Sequence, residues 1–355
     1  MTLAGKKNHY NIKFLKGYGF SIKVKDSKII LKNCYDPFSK PEIEEHFART
    51  MPYEKIVVSG KGYISTEALS ILSENNKHVI LLDTFGKPQV FLSPMMDSLT
   101  ATQYRMAQYD TFRNETKRKY LAHQIVKAKL DTQIDFLSSL KKEILSDGIS
   151  KLKEYRKNID ASPISQEAKV ARNYFTEFAK LIPDKFEFES RNQSNFSIRK
   201  NNATDVINAL LNYGYTVLAG QISTYINGFG LDAYCGFYHK EHTGFQPLVY
   251  DMIEPFRWLV DYTVFKLATS VSTKQKIKLK EFAHTRDGSV VMEYSLIKRF
   301  LEMLERNFAK ERRYNFRHGA KTKDGLKSVR EIVVAKILVQ NLAEYCQGKQ
   351  KEFRI

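Results

Sequence analysis

Asp251 and Glu254 stand three residues apart in the segment Pro247-Leu-Val-Tyr-Asp-Met-Ile-Glu-Pro-Phe-Arg257. If Pro247 opens a helix, the two carboxylates project from neighbouring points of one face and can share a cation. Like charges at that range repel unless a proton or metal sits between them, and a divalent ion is the usual reason to build such a pair. Pro255 has no amide and restricts the residue before it, so a local kink is expected at Glu254. A bare D-x-x-E pair is very common and, taken alone, reads as a solvated helix face. His239 lies in Cys235-Gly-Phe-Tyr-His-Lys240, where the glycine and aromatics suggest a packed turn that fixes an imidazole, and His242 is a competing ligand three residues on. Glu167 falls in the first turns of a helix, where the dipole favours an acid with or without a function.

These residues need a scaffold, and at 355 residues the chain is expected to divide into two domains. The first ninety or so residues read as strands. Phe20, Ile22 and Val24 alternate with Ser21, Lys23 and Lys25, and Asp26-Ser27 turns the chain into Lys28-Ile-Ile-Leu-Lys32 as a hairpin. A buried strand over 55–58 leads into Ser59-Gly-Lys-Gly62 and a short helix near Ser65, with Ile64 and Leu69 placed as a hydrophobic staple. Two more strands follow, His78 to Leu82 and Pro88 to Leu92, before Pro94 closes the segment. The boundary is expected near residue 96. The fold class is then α+β multidomain, with a small β-rich domain over 1–96 and a larger α-helical catalytic domain over 97–355.

Beyond the boundary the hydrophobic period becomes helical. A proline-free stretch from Ser98 to Leu145 is long enough for more than one helix and carries Arg105, Arg113, Lys117, Arg118, Lys127 and Lys129. A helix from Ser162-Pro163 to about Leu181 contains Glu167, and another from near Asp205 places Val206, Leu210, Tyr213 and Val217 on one face. Tyr213 and Tyr215 are expected to pack inside. Pro247 to Thr269 is helical in period, a short hairpin is expected around Asp287-Gly288, and helices are expected near Tyr294 to Arg312 and Leu326 to Gly348.

Lysine and arginine total 57 against 39 acids, a net charge of +18, which implies a polyanionic partner. With no amphipathic anchor, nucleic acid is expected rather than a membrane. No apolar stretch follows Lys6-Lys7, and no run of uncharged apolar residues is long enough to span a bilayer, so a cytoplasmic location is expected. Cys34, Cys235 and Cys346 are odd in number and form no CxxC, which argues against a disulfide framework or a structural zinc site. Candidate nucleic-acid contacts are Arg105, Arg118, Lys127, Arg199, Lys200 and the cluster Arg312, Arg313, Arg317, Lys321 and Lys323. Tyr314 and Phe316 interleave with that cluster, placed either to stack an unpaired base or to pack beneath a charged surface.

Three blocks stand out: Glu167-Ala-Lys-Val-Ala-Arg-Asn-Tyr-Phe175, Asp205-Val-Ile-Asn-Ala-Leu-Leu-Asn-Tyr-Gly-Tyr215, and Gly230-Leu-Asp-Ala-Tyr-Cys-Gly-Phe-Tyr-His239 continuing through Leu248 to Arg257. Together they resemble the CRISPR spacer-acquisition integrase family, Cas1. Val57-Val-Ser-Gly-Lys-Gly-Tyr-Ile-Ser65 and the stretch from His78 to Asp83 resemble its β-rich domain more loosely. By that resemblance Glu167, His239 and Glu254 match the metal-coordinating positions, and Asp251 matches the acid beside them, completing the catalytic set. Asp251 is left three options: direct ligand, ligand through water, or orienting group. Such donors suit Mg²⁺ or Mn²⁺, the imidazole making manganese comfortable.

The implied activity is that of a metal-dependent DNA endonuclease and integrase, inserting foreign fragments (spacers) into a CRISPR array by 3′-hydroxyl attack on a phosphodiester. Implied partners are double-stranded DNA, as fragment and target repeat, the small companion protein Cas2, and a second copy of the chain joined through the N-terminal domain. The sequence departs from the family at Ala168, where glycine is common, and at Thr204; neither touches a ligand. A casposase-like transposase would share the site and chemistry, but the short stretch after Gly348 leaves no room for the extra DNA-binding module expected there. A rival of another class is a non-catalytic DNA-binding structural subunit.

Overall fold

The structure is a computed structural model and describes residues 12–33, 40–82, 88–92, 99–159, 167–191, 203–239, 245–315 and 326–353. It divides into two compact units, Met1–Asp97 and Ser98–Ile355. A mixed sheet fills the first and helices dominate the second, so the chain is α+β.

The first unit holds strands β1 (Ile12–Lys25), β2 (Lys28–Asn33), β3 (Glu42–His46), β4 (Lys55–Ile64), β5 (His78–Leu82) and β6 (Pro88–Leu92), with helix α1 (Thr66–Glu74) between β4 and β5. They form one sheet in the order β3-β2-β1-β4-β5-β6, in which β4 runs parallel to both β1 and β5. Asp26 and Ser27 both take left-handed φ angles, 50° and 60°, and Lys25 pairs with Lys28, so the hairpin turn matches the strand twist. Phe20, Ile22, Ile29, Leu31, Ile56 and Val58 bury one face with Ala68 and Leu72 of α1. Ser65 caps α1 by accepting from the Ala68 amide at 3.1 Å, while Ile64 and Leu69 pack on the same core.

Two features of this unit depart from the sequence reading. β4 does not end at Val58 but continues through Ser59–Gly62, paired with β1. At Gly60, with φ 115°, an added Cβ would stand 2.3 Å from the Gly17 carbonyl oxygen, so glycine is what lets the ladder continue. β3 was hidden by its acids, because Glu-Ile-Glu-Glu-His has no apolar alternation. Its Glu44 is anchored by the Lys13 ammonium at 2.6 Å and the Tyr53 hydroxyl at 2.8 Å.

The second unit contains α2 (Leu99–Arg113), α3 (Glu115–Ser139), α4 (Ser146–Asn158), α5 (Glu167–Ala179), α6 (Val206–Gly228), α7 (Pro247–Ile253) and α8 (Arg257–Ala268). After these come strands β7 (Phe282–His284) and β8 (Val290–Met292), α9 (Tyr294–Ala309), β9 (Glu311–Asn315), β10 (Leu326–Arg330) and α10 (Glu331–Cys346). Asn114 divides the long helical stretch, its side chain accepting from the Lys117 amide at 3.0 Å to cap α3. The buried stripe of α3 runs through Leu121, Ile125, Val126, Leu130, Ile134 and Leu137, the i, i+4 period of a helix enclosed along one face.

The expected helices at Tyr294 to Arg312 and Leu326 to Gly348 are shorter. α9 stops at Ala309, α10 starts at Glu331, and the residues between them form an antiparallel ladder from Leu326↔Asn315 to Arg330↔Glu311. Glu-Arg-Arg-Tyr-Asn has no apolar period to hold it on a helical core, and cross-strand pairing satisfies its backbone instead. Arg312 lies with Nε 2.5 Å from Glu331 Oε1 and its guanidinium 4.4 Å from the Trp258 ring. Among the described residues no helix is long and apolar enough to cross a membrane.

Candidate active site

Pro247 does open α7, and the helix ends at Ile253, where Glu254–Phe256 tighten into a single 3-10 turn before α8. This is the kink that Pro255 demands. It moves Asp251 and Glu254 into different surroundings. Asp251 is wholly buried and turns toward the loop before α7, where it accepts from the amides of Phe237 at 2.7 Å, Tyr238 at 3.1 Å and His239 at 2.8 Å. Its Oδ1 also lies 2.7 Å from His239 Nδ1. One carboxylate therefore holds the loop backbone and orients the imidazole, leaving Nε2 as the free ring nitrogen. Gly236 is what permits this closeness, since a Cβ there would meet Pro247 Cβ at 2.5 Å and Asp251 Oδ2 at 2.9 Å.

Glu254 is 2 % exposed and points elsewhere. Its Oε1 accepts from Arg257 at 2.8 Å, and its Oε2 lies 2.6 Å from the Lys129 ammonium without the alignment of a hydrogen bond. Burial opposes the charge on this carboxylate, yet the Arg257 guanidinium and Lys129 ammonium hold it down at about 2. Glu167, the first residue of α5, meets the same ammonium through Oε1. Tyr238 stands against this pair: burial, and then the Glu167 and Glu254 charges, push its phenol well up.

The second layer is aromatic and equally buried. Arg257 stacks 4.1 Å from the Tyr215 ring, and Tyr215 and Tyr174 both donate to Asp261, the latter at 2.7 Å. The Arg191 guanidinium also lies 5.4 Å from the Tyr215 ring and donates to Asn208 and Asn212 of α6. Tyr213 and Tyr215 are interior residues, 4 % and 5 % exposed.

The four residues singled out in the sequence thus fall into two pairs, Glu167 with Glu254 and His239 with Asp251. Among the described residues no group of three His, Cys, Asp or Glu side chains is placed to hold a metal ion, and the Lys129 ammonium lies between the two glutamates. The donors nonetheless suit a hard divalent ion: a buried oxygen of Glu254 without a hydrogen bond, a second carboxylate, and an imidazole whose remaining nitrogen is aimed by Asp251. Lys129, Arg257 and Asp261 were the residues missed. A signal existed for each: Lys129 falls on the buried stripe of α3, Arg257 is three residues beyond Glu254, and Asp261 interrupts an apolar helix.

Of the expected DNA contacts, Arg118 is exposed and lines an open cleft with Tyr109, Phe112, Arg113, Cys235 and Gly236, immediately behind the loop that carries His239. Arg105 donates to the Gly230 carbonyl at 3.1 Å, which ties it to the start of that loop. Lys127 is half-buried, and Arg312 and Arg313 are exposed on β9. Arg199, Lys200, Arg317, Lys321, Lys323 and His242 lie outside the described residues.

The family model described as CRISPR associated protein Cas1 matches residues 14–306, most of the chain. The chain belongs to the Cas1 family. A relative in Methanobrevibacter ruminantium, CRISPR-associated protein Cas1 3, is 28 % identical over 74 % of this chain and 78 % of its own. The CRISPR-associated endonuclease Cas1 1 of Archaeoglobus fulgidus is 26 % identical over 71 % of this chain and 76 % of its own. Among solved structures, a casposase bound to an integration product superposes with a TM-score of 0.80 at 26 % identity, covering 97 % of this chain and 92 % of that one. The family match and the casposase likeness both extend over the two compact units rather than one.

Proposed function

We propose that this Cas1-family chain cuts and joins DNA, inserting foreign fragments into a CRISPR array by attack of a 3′-hydroxyl on a target phosphodiester, with Glu167, His239 and Glu254 as metal ligands. The observation that carries the reading is the divided labour at Asp251. A carboxylate that accepts three backbone amides and the imidazole Nδ1 has no remaining lone pair aimed outward, so it serves as the orienting acid, and the ligand role falls to His239. Glu254 is presented in the same way, with Arg257 holding Oε1 so that Oε2 faces Glu167 and Lys129.

Mg²⁺ or Mn²⁺ held by these three residues would polarise a phosphoryl oxygen and activate the attacking or leaving oxygen. The protein supplies orientation and exclusion of water. Asp251 fixes the imidazole tautomer, Arg257 fixes the glutamate, and the Phe245–Tyr250 stack, ring centres 4.5 Å apart, walls the His239 side of the site. Arg118 and Arg113, which line a cleft with Glu115, Cys235 and Gly236, would hold DNA phosphates. Cas2 and a second copy of the chain, joined through the N-terminal unit, complete the proposed assembly.

The casposase likeness favours one second reading, a transposase-type integrase acting on mobile-element ends without Cas2. Both readings predict strand transfer of labelled duplexes with 3′-hydroxyl ends into a supercoiled target, abolished by chelator. Glu167→Ala, His239→Ala and Glu254→Ala should each lower joining by about a hundredfold or more. Full activity in all three variants would overturn the site. Retention of Cas2 on immobilised protein separates the two enzymes, and DNA binding without joining under either metal would point to the structural subunit instead.

A further inference from the structure

Lysine is among the residues least often found fully buried, yet Lys129 is 9 % exposed in the middle of α3. It occupies a position of the helix's apolar stripe, one turn on from Ile125 and Val126 and beside Leu130. Its ammonium pairs with Glu167 Oε1 and lies 2.6 Å from Glu254 Oε2, bridging carboxylates carried by α5 and by the 3-10 turn after α7. Two carboxylates that meet at one point repel unless a cation lies between them. The ammonium is that cation here, a compact single charge on a flexible four-carbon stem.

We propose that Lys129 is a built-in counter-cation that holds the Glu167–Glu254 pair in the metal-free protein and is displaced when the divalent ion binds, so that metal affinity is set by competition with it. This rests on the assignment of Glu167 and Glu254 as ligands made above. Two charges outcompete one at the same pair of oxygens, whereas a monovalent ion offers no advantage over the ammonium already present. The bridge therefore keeps the ligands charged and aimed, and it sets a threshold that only a divalent ion crosses. Arg257 takes no part in the exchange, because it binds the other oxygen of Glu254.

The test is binding, read without any turnover. Mn²⁺ is titrated calorimetrically, at neutral pH and in parallel with thermal melts in chelator and in Mn²⁺, into wild type, Lys129→Met, Lys129→Arg and Glu254→Gln. Lys129→Met is expected to melt lower than wild type in chelator, to regain more on adding Mn²⁺, and to bind Mn²⁺ about tenfold more tightly, since no cation needs to be expelled. Lys129→Arg keeps a charge that grips carboxylates with a planar fork, and is expected to bind Mn²⁺ about tenfold more weakly. It keeps the test decisive if the methionine variant does not fold without metal. Unchanged or weaker affinity in Lys129→Met, or unchanged or tighter affinity in Lys129→Arg, overturns the proposal while leaving the ligand assignment standing. Unchanged affinity in Glu254→Gln overturns the assignment and the proposal together.

Discussion

Asp251 holds a loop backbone and an imidazole with one carboxylate, and in the proposed metal site it orients a ligand rather than touching the ion. Its four acceptor contacts join a loop backbone to an imidazole, and an amide in its place would set an N–H₂ group against donors. Asp251→Asn is therefore expected to lower Mn²⁺ affinity about 10- to 100-fold, the range for the partner of a metal-bound histidine, which the same calorimetric titration measures. A spacing of three residues told that Asp251 and Glu254 are neighbours. It could not tell that a proline-enforced turn sends them to different partners, because that depends on where the Cys235–His239 loop returns. Lys129 was legible as a basic residue of α3 but not as part of the site, since its partners lie 38 and 125 residues away in sequence.

At the scale of elements, helices with a sustained apolar stripe were readable, and short strands without an apolar period, such as β3 and β9, were not. α3 and α6 follow from their periodicity, whereas β9 and β10 exist because each supplies the other's backbone partners. The junction before α9 illustrates a tie that only tertiary structure supplies. Glu281 receives the Arg299 fork at 2.8 and 2.6 Å and the Lys278 amide at 3.0 Å, and its own carbonyl accepts from Glu293. Burial opposes the charge, but the Arg299 fork and Lys278 amide hold the Glu281 carboxyl down at about 2. A group depressed from about 4.5 stabilises the fold above that pH, and the contribution, on the order of 1 kcal/mol once solvent screening is allowed for, is lost as pH falls from there toward 2. Urea unfolding of wild type and Glu281→Gln should differ by most of this amount at pH 7 and converge in strong acid. A constant difference across that window would contradict the coupling.

For the whole molecule, a net charge of +18 on 355 residues is the property that composition made plainest, and it concerns association rather than fold. DNA affinity is expected to fall steeply and linearly on a log–log plot against salt, and Arg118→Ala to lower the slope by about one as a single phosphate contact is lost. Fluorescence anisotropy of labelled duplex over a salt series measures both. The two-unit organisation bears on measurement as well. Trp258, the single tryptophan of the chain, lies under Arg312 and four residues beyond Glu254. Light absorbed selectively by that indole is thus emitted from one known place, beside the turn that carries Glu254 and beneath the basic hairpin. The protein carries its own optical reporter, able to register the lifting of Arg312 from its aromatic seat without any attached dye.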